Sequence, residues 1–335
     1  MPAEAGCNAS PSRRPAFRNF LRAAGKSGRT GPSAPSRIAT FAGALTGAAP
    51  LALALAAAPA MAGPSLAVTV DDLPAHGPLP PGATRLTVAT DMIGALRSAN
   101  APAIGFVNGA YGADDPDAPA VLALWKAAGL PLGNHSFSHP HLSEIGAAAF
   151  LADLDKGAPF VEGQPPLLRY PYLDEGRDPA VRDAVRAGLA RRGYRIAAVT
   201  LSFDDYAYNA PYVRCLAQGD AAAVTALEER YLAAARADAE RARIITRATL
   251  GRDVPHVLLL HIGAFTTRML PRLLAQYRAM GFAFTTLDEA QNDPFYAAAD
   301  PGKPGPTPSL DALAGQMGAP PPPRPTIPGD EVCGE

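Results

Sequence analysis

The sequence predicts an α/β fold, a distorted (β/α)7-type barrel of parallel strands wrapped by helices. Two observations predict it. Seven short apolar runs alternate with amphipathic or Ala-rich segments across residues 66–286, and strand alternating with helix implies parallel strands joined by crossovers. Five of the seven runs end at an ionisable or metal-binding side chain. In parallel barrels the chemistry sits at the C-terminal strand ends. Scattered surface polarity would not choose strand ends so consistently.

Taken in order, residues 66–70 stop at Asp71-Asp72, and 103–107 stop at Asn108-Gly109. Residues 130–133 lead to Asn134-His135, and 167–168 lead to Arg169. Residues 196–201 lead to Ser202 and Asp204-Asp205, 257–260 lead to His261, and 282–286 close the series. Helices are expected over 86–99, 118–128, 147–155, 179–192, 221–249 and 268–280. The 221–249 stretch interleaves Glu228, Glu229, Arg230, Arg236, Asp238, Glu240 and Arg241 with Ala and Leu. That pattern suits one or two surface helices with i,i+4 charge pairs.

The flanks differ in composition. Residues 1–62 read as a leader: seven basic residues and one acid, then an apolar run over 38–58 and Ala60-Met61-Ala62, a small-x-small cleavage pattern. Gly43, Gly47 and Pro50 interrupt the run, which disfavours a permanent membrane anchor. The expected product is therefore exported, periplasmic or secreted, with no stable membrane span after leader removal. The catalytic-sized domain spans 63–297. Residues 298–335 are Pro-rich and expected to be an extended or disordered tail, a linker toward the cell envelope.

Taking seven basic residues and one acid from a formal charge of −1 leaves about −7. That argues against nucleic acid as a partner. Cys215 and Cys333 remain after the leader is removed; an exported protein can join them, and two unpaired thiols remain the other reading.

Residues 133–141 read Gly-Asn-His-Ser-Phe-Ser-His-Pro-His. On a helical turn, the four-residue spacing of His135 and His139 puts both imidazoles on one face, where they can share a metal ion. Alone, such a pair is more often a solvated polar turn than a metal site. An Asp-Asp pair, an Arg, a second Asp-Asp pair and a lone His, each at the end of an apolar run, change that balance.

Five ordered stretches carry a resemblance. Thr69-Val70-Asp71-Asp72, the stretch from His135 to His139, Arg169-Tyr170-Pro171-Tyr172, Asp205-Tyr206 and Leu258-Leu259-Leu260-His261 resemble the motifs of the polysaccharide deacetylases, the NodB-like enzymes of carbohydrate esterase family four. The resemblance spans roughly 66–296 and implies a NodB-like distorted barrel. It implies Asp72, His135 and His139 as ligands of one divalent metal, with Zn the default and Co, Ni, Mn or Fe also fitting. It further implies Asp71 as general base, Arg169 as its partner, the Tyr172 N–H as an oxyanion donor, and Leu259 as part of the acetyl pocket. His261 would be the general acid, its pKa raised from ~6.5 by a carboxylate, for which Asp205 is the choice. His76 and His141 are taken as non-ligands. Val70 stands where the family more often has an aromatic; the fourth motif lacks its first acid and carries Tyr206 in place of Trp.

The chemistry needs each part. Amide hydrolysis requires an activated water, stabilisation of the tetrahedral intermediate and an acid for the departing nitrogen; a divalent metal lowers the pKa of bound water toward ~7 and polarises the carbonyl. The expected function is a hydrolase of carbon–nitrogen, non-peptide bonds that removes acetyl from N-acetylated sugar polymers such as chitin-like oligomers or peptidoglycan. An O-acetyl esterase acting on xylan, or a small-molecule amidase, would use the same site. The rival of another class is a non-catalytic glycan- or wall-binding module. It would need aromatic platforms, and Trp125, the one tryptophan, falls on an expected helix away from the strand ends. A structural metal site would close with four protein ligands.

Overall fold

The computed structural model describes residues 64–326, 328 and 332–334. The expected leader, its apolar run and its cleavage point lie outside the described residues.

β1 (Ser65–Leu73) is the strand around which the sheet forms, and it is buried from Leu66 to Leu73. Its run of Leu, Ala and Val reads as nearly continuous apolar sequence because both faces are covered. β2 (Ala103–Val107), β3 (Leu132–Asn134), β4 (Leu167–Leu168) and β5 (Arg195–Ile196) extend the sheet on one side in the order β5-β4-β3-β2-β1. β6 (His256–His261) pairs on the other side, and β7 (Ala283–Thr285) pairs with the start of β1. Every pairing is parallel. The helices between are α1 (Arg85–Ser98), α2 (Ala118–Ala127), α3 (Leu142–Gly157), α4 (Pro179–Arg191), α5 (Asn209–Gln218), α6 (Ala221–Leu250), α7 (Ala264–Ala279), α8 (Leu287–Gln291) and α9 (Leu310–Ala314).

The fifth strand is shorter than the expected 196–201. After Ala197 donates to Leu168, the chain leaves the β4 edge and crosses to β6, where Leu201 bridges Leu258. The Leu259 N–H donates to the Leu201 carbonyl at 2.9 Å. This crossing closes the ring of strands, so one segment serves two edges and cannot stay regular. The distorted barrel follows.

Register sets the site. Val107 pairs with Asn134, and Asn134 with Leu168, so the next residues, Asn108, His135 and Arg169, emerge at one level. Asp71 sits directly opposite His261. The β1–β2 register shifts between Val70 and Leu73. Such irregularities at barrel rims re-aim side chains.

Two expectations need correction. The first concerns not the number of helices over 221–249, since α6 is one helix of 30 residues, about 45 Å long at ~1.5 Å per residue, but its surface character. Its Asp238 and Arg241 are buried rather than solvated. Asp238 accepts the Ser202 N–H at 2.8 Å, and Arg241 donates to Pro322 O and Asp311.

The second correction is the tail, whose described part is not loose. Leu310, Leu313 and Ala314 of α9 are buried and belong to the main core. Cys333 is bonded to Cys215 across a sequence separation of 118. A cross-link of that span stabilises by about 4–5 kcal/mol in the chain-entropy account. Proline content alone suggested disorder; three buried apolar side chains and a covalent tie outweigh it.

Candidate active site

Asp71, Asp72, His135, His139 and His261 line a cavity of about 300 Å³ at the C-terminal strand ends, with Tyr172, Leu259 and Asp204. Asp72 lies within the β1 irregularity and takes a left-handed backbone, φ 64°. His139 (φ 54°), Ser136 (φ 65°), Tyr172 (φ 55°) and Asp204 (φ 56°) do the same. Each such non-glycine residue costs of order 1–3 kcal/mol, and such strain clusters at functional sites.

The His135–His139 pair does not stand on a helix, and this corrects the helical-turn reading. The two imidazoles meet because the loop doubles back at Ser136 and His139. Asp153 of α3 fixes that loop, accepting the Phe137 N–H, the Ser138 N–H and the Ser138 hydroxyl at 2.8–2.9 Å. Gly157 lets α3 lie this close: a Cβ there would stand 2.8–2.9 Å from Asn134 Oδ1 and the Ser136 carbonyl.

Asp72, His135 and His139 are the only three-residue group among the described residues whose ligand atoms could hold a metal ion, all within 4.8 Å of one another. His135 Nδ1 lies 2.8 Å from the Arg169 carbonyl oxygen. A carbonyl only accepts, so Nδ1 carries the hydrogen and Nε2 presents a lone pair. His139 Nε2 is 3.2 Å from His135 Nε2 and 3.5 Å from Asp72 Oδ1. Burial first, then His135, lowers the His139 pKa to about 4 against the opposing pull of Asp72, which leaves the ring neutral. Asp72 Oδ1 is buried and has no hydrogen-bond partner. Its partner oxygen is held by His76 Nδ1 at 2.8 Å. Burial pushes the Asp72 carboxyl upward, but the His76 hydrogen bond and the nearby imidazoles hold it well below the usual carboxylate range. Two nitrogens and an unpartnered carboxylate oxygen thus converge, a donor set that fits a divalent cation.

Arg169 is wholly buried behind this group. Its Nη1 donates to Asp71 Oδ2 at 3.2 Å, Nη2 to Thr69 Oγ1 at 3.0 Å, and Nε to the Ala197 carbonyl at 2.9 Å. The guanidinium also covers the Phe106 ring at 4.7 Å. So Asp71 is locked from behind, while its other side faces the cavity.

Across the cavity, His261 Nδ1 is 2.8 Å from Asp205 Oδ1, and Asp205 Oδ2 accepts the His261 N–H and the Thr266 hydroxyl. Burial pushes the His261 pKa down; Asp205, by charge and hydrogen bond, then Asp72 and Asp71, carry it up to about 9. Asp205, not Asp204, holds His261. Asp204 lines the cavity without touching that ring.

Residues 59–197 match the family model described as polysaccharide deacetylase. No curated protein matches the sequence. Among solved structures it is similar to a family 4 carbohydrate esterase from Streptomyces lividans, with 21% identity over 68% of this chain and 95% of that one, at a TM-score of 0.42. A chitin deacetylase from the fungus Colletotrichum lindemuthianum matches with 20% identity over 69% and 88%, at 0.46. A family 4 pseudoenzyme from Bacillus anthracis matches with 14% identity over 68% and 65%, at 0.45.

Tyr172 lines the cavity, its N–H meets no acceptor among the described residues, and its ring stacks on His141 with centroids 3.6 Å apart. His141 otherwise faces Asp174 at 3.7 Å and stays outside the metal group. Trp125 is buried on α2. Aromatic platforms nonetheless exist, contrary to what the lone tryptophan suggested: Tyr172 and Tyr206 are among the most exposed large side chains, and both line the cavity with Tyr111. Sequence reasoning passed over Tyr111, which follows the one early strand that lacks an ionisable end. It also passed over His76 as the partner of Asp72, and over Asp153, whose only signal was an acid on the helix after the histidine loop.

Proposed function

We propose that this protein is a metal-dependent hydrolase that removes acetyl groups from N-acetylated polysaccharide or oligosaccharide. The observation that carries the reading is a carboxylate and an imidazole lining the same cavity as the metal-fitting group, Asp71 locked by Arg169 and His261 by Asp205. A divalent cation held by Asp72, His135 and His139 would supply Lewis acidity, activating water and polarising the acetyl carbonyl. Asp71 takes the proton from the attacking water, its spare lone pairs free because Arg169 engages it from behind. The Tyr172 N–H donates to the carbonyl oxygen as negative charge develops there. His261 Nε2 then passes its proton to the departing nitrogen. Amide nitrogen leaves poorly without that proton, whereas an alkoxide needs it less, so a strongly protonated His261 favours N-acetyl over O-acetyl substrates. Zinc is the proposed metal, and the Cys215–Cys333 bond supports an exported, oxidising location. Among the described residues no helix is long and apolar enough to cross a membrane.

The test is acetate release from N-acetylglucosamine oligomers and from acetylated xylan, after chelation and after Zn²⁺ is restored. Release that vanishes on chelation and returns with metal, faster on the amide substrates, is expected. Activity indifferent to chelation would overturn the metal assignment; preference for xylan would overturn the amide one.

A pH profile checks the acid. The raised pKa means His261 is protonated below about 9 and loses its proton as pH rises through that value. Activity should therefore fall on the alkaline side. Asp205→Asn removes the largest raising influence, so its alkaline limb should move down by about 1–3 pH units. An unmoved limb would show that another group titrates there.

A further inference from the structure

α6 carries none of the groups that line the catalytic cavity, yet it stands behind the proton donor. Past Leu201, which bridges Leu258 of β6, the chain leaves the strands and reaches Asp205 in four residues. Ser202, the first of them, lines the catalytic cavity. Its N–H lies beyond that bridge and finds its acceptor on α6, Asp238 Oδ2 at 2.8 Å. Phe203 is buried against the ring of Tyr231, with centroids 4.9 Å apart. Tyr208, downstream of Asp205, meets the same ring at 5.2 Å. Tyr231 and Asp238 are seven residues apart on one helix, about two turns, so they share a face. One face of α6 thus grips the chain on both sides of Asp205.

Between those grips the backbone is strained. Asp204 holds a left-handed conformation, φ 56°, and a non-glycine residue stays in it only where its surroundings over-determine it. Downstream, Asp205 is fixed by the His261 N–H and the Thr266 hydroxyl. Upstream, the fixing bond is the one from Ser202 to Asp238.

Packing alone does not call for an acid at 238. The residue is 2% exposed, and burial pushes its carboxyl up to about 7 against the pull of the Ser202 N–H, Arg241 and Arg324. Well-packed apolar side chains commonly replace buried ionisable ones without loss of stability. Nor does Arg241 require it, since that guanidinium is engaged by Asp311 and the Pro322 carbonyl.

We infer that Asp238 is a positioning residue for the proton donor: by holding Ser202 it fixes the turn that aims Asp205 at His261 Nδ1. The inference rests on the acid role proposed above for His261.

Substitutions at 238 test it. Asp238→Asn keeps an oxygen to accept the Ser202 N–H; Asp238→Leu keeps the volume and removes the acceptor. Asp238→Ala, which cannot overpack the site, stands in if the leucine variant does not fold. kcat and KM would be measured on the N-acetylglucosamine tetramer and on 4-nitrophenyl acetate, whose leaving group departs without a proton. In Asp238→Leu, kcat on the amide should fall about 10-fold, a part of the ~10²–10⁴ that a positioned acid contributes, with KM and the ester rate within about 2-fold of wild type. Asp238→Asn should keep the wild-type rates on both. In proton NMR, the low-field His261 Nδ1–H signal, assigned by its displacement in Asp205→Asn, should persist in Asp238→Asn and be lost to exchange in Asp238→Leu. Equal losses on amide and ester, an unchanged amide rate, a loss in Asp238→Asn as large as in Asp238→Leu, or a signal that persists in Asp238→Leu overturns the inference. If neither the leucine nor the alanine variant folds, Asp238 serves the fold rather than the acid, and the inference falls. If the wild type releases no acetate, the hydrolase reading fails and the signal alone decides: lost in Asp238→Leu, the positioning stands; kept, it falls.

Discussion

Asp71→Asn should lower kcat for acetate release by about 10³-fold or more, in line with the ~10²–10⁴ that a positioned general base contributes, while the metal group stays intact. The substitution keeps the shape of the side chain and an oxygen to accept from Arg169 Nη1, but it removes the proton acceptor. Asp72, His135 and His139 are untouched, so metal content should stay near one per chain. Steady-state kinetics on an N-acetylglucosamine oligomer, with metal analysis of the same sample, decides it. A variant within 10-fold of wild type that still holds metal would show that Asp71 is not the base, and would turn attention to Asp204, the remaining carboxylate at the cavity.

Arg169→Met should cost about 3–5 kcal/mol of stability, the range found when one partner of a buried ion pair is removed. Both partners are buried, Arg169 completely and Asp71 to 2% exposure. Methionine fills much of the volume over Phe106, so the loss is chiefly electrostatic: Asp71 keeps its burial without its counter-charge, and Thr69 Oγ1 and the Ala197 carbonyl lose a donor. Denaturant unfolding measures it. A loss below about 1 kcal/mol would mean that the pair is not an intact buried ion pair in the native protein, and the account of how Arg169 positions Asp71 would fall with it.

Much of this arrangement was legible in the sequence, and for a physical reason. A parallel strand buried on both faces must be apolar along its length, so its end is marked by the first polar residue, and in a barrel those ends share one rim. Asp71, Arg169 and His261 could be placed on that rim from local sequence alone. What could not be read were features set by distant chain. The fifth strand broke off because its continuation was needed at β6. The histidine loop was built on left-handed residues held by Asp153, so a helical turn was the wrong route to the right convergence. Asp238 and Arg241 looked solvated because their partners, Ser202, Asp311 and Pro322, lie 36 to 81 residues away. The tail looked loose because proline content is local, whereas the core it joins and the cysteine that ties it are remote.

Two of the site's imidazoles, His135 and His261, are oriented by different kinds of partner, and this makes their orientation unequally robust to mutation. His135 is set by the carbonyl oxygen of residue 169, and every amino acid supplies a carbonyl there. His261 is set by the side chain of Asp205, which a single nucleotide change can remove. A substitution at 205 can therefore free the His261 ring while the hydrogen bond that fixes the His135 tautomer stays in place. Loss of the Asp205 carboxylate would release the His261 ring while leaving His135 held by a backbone carbonyl beside Asp72 and His139.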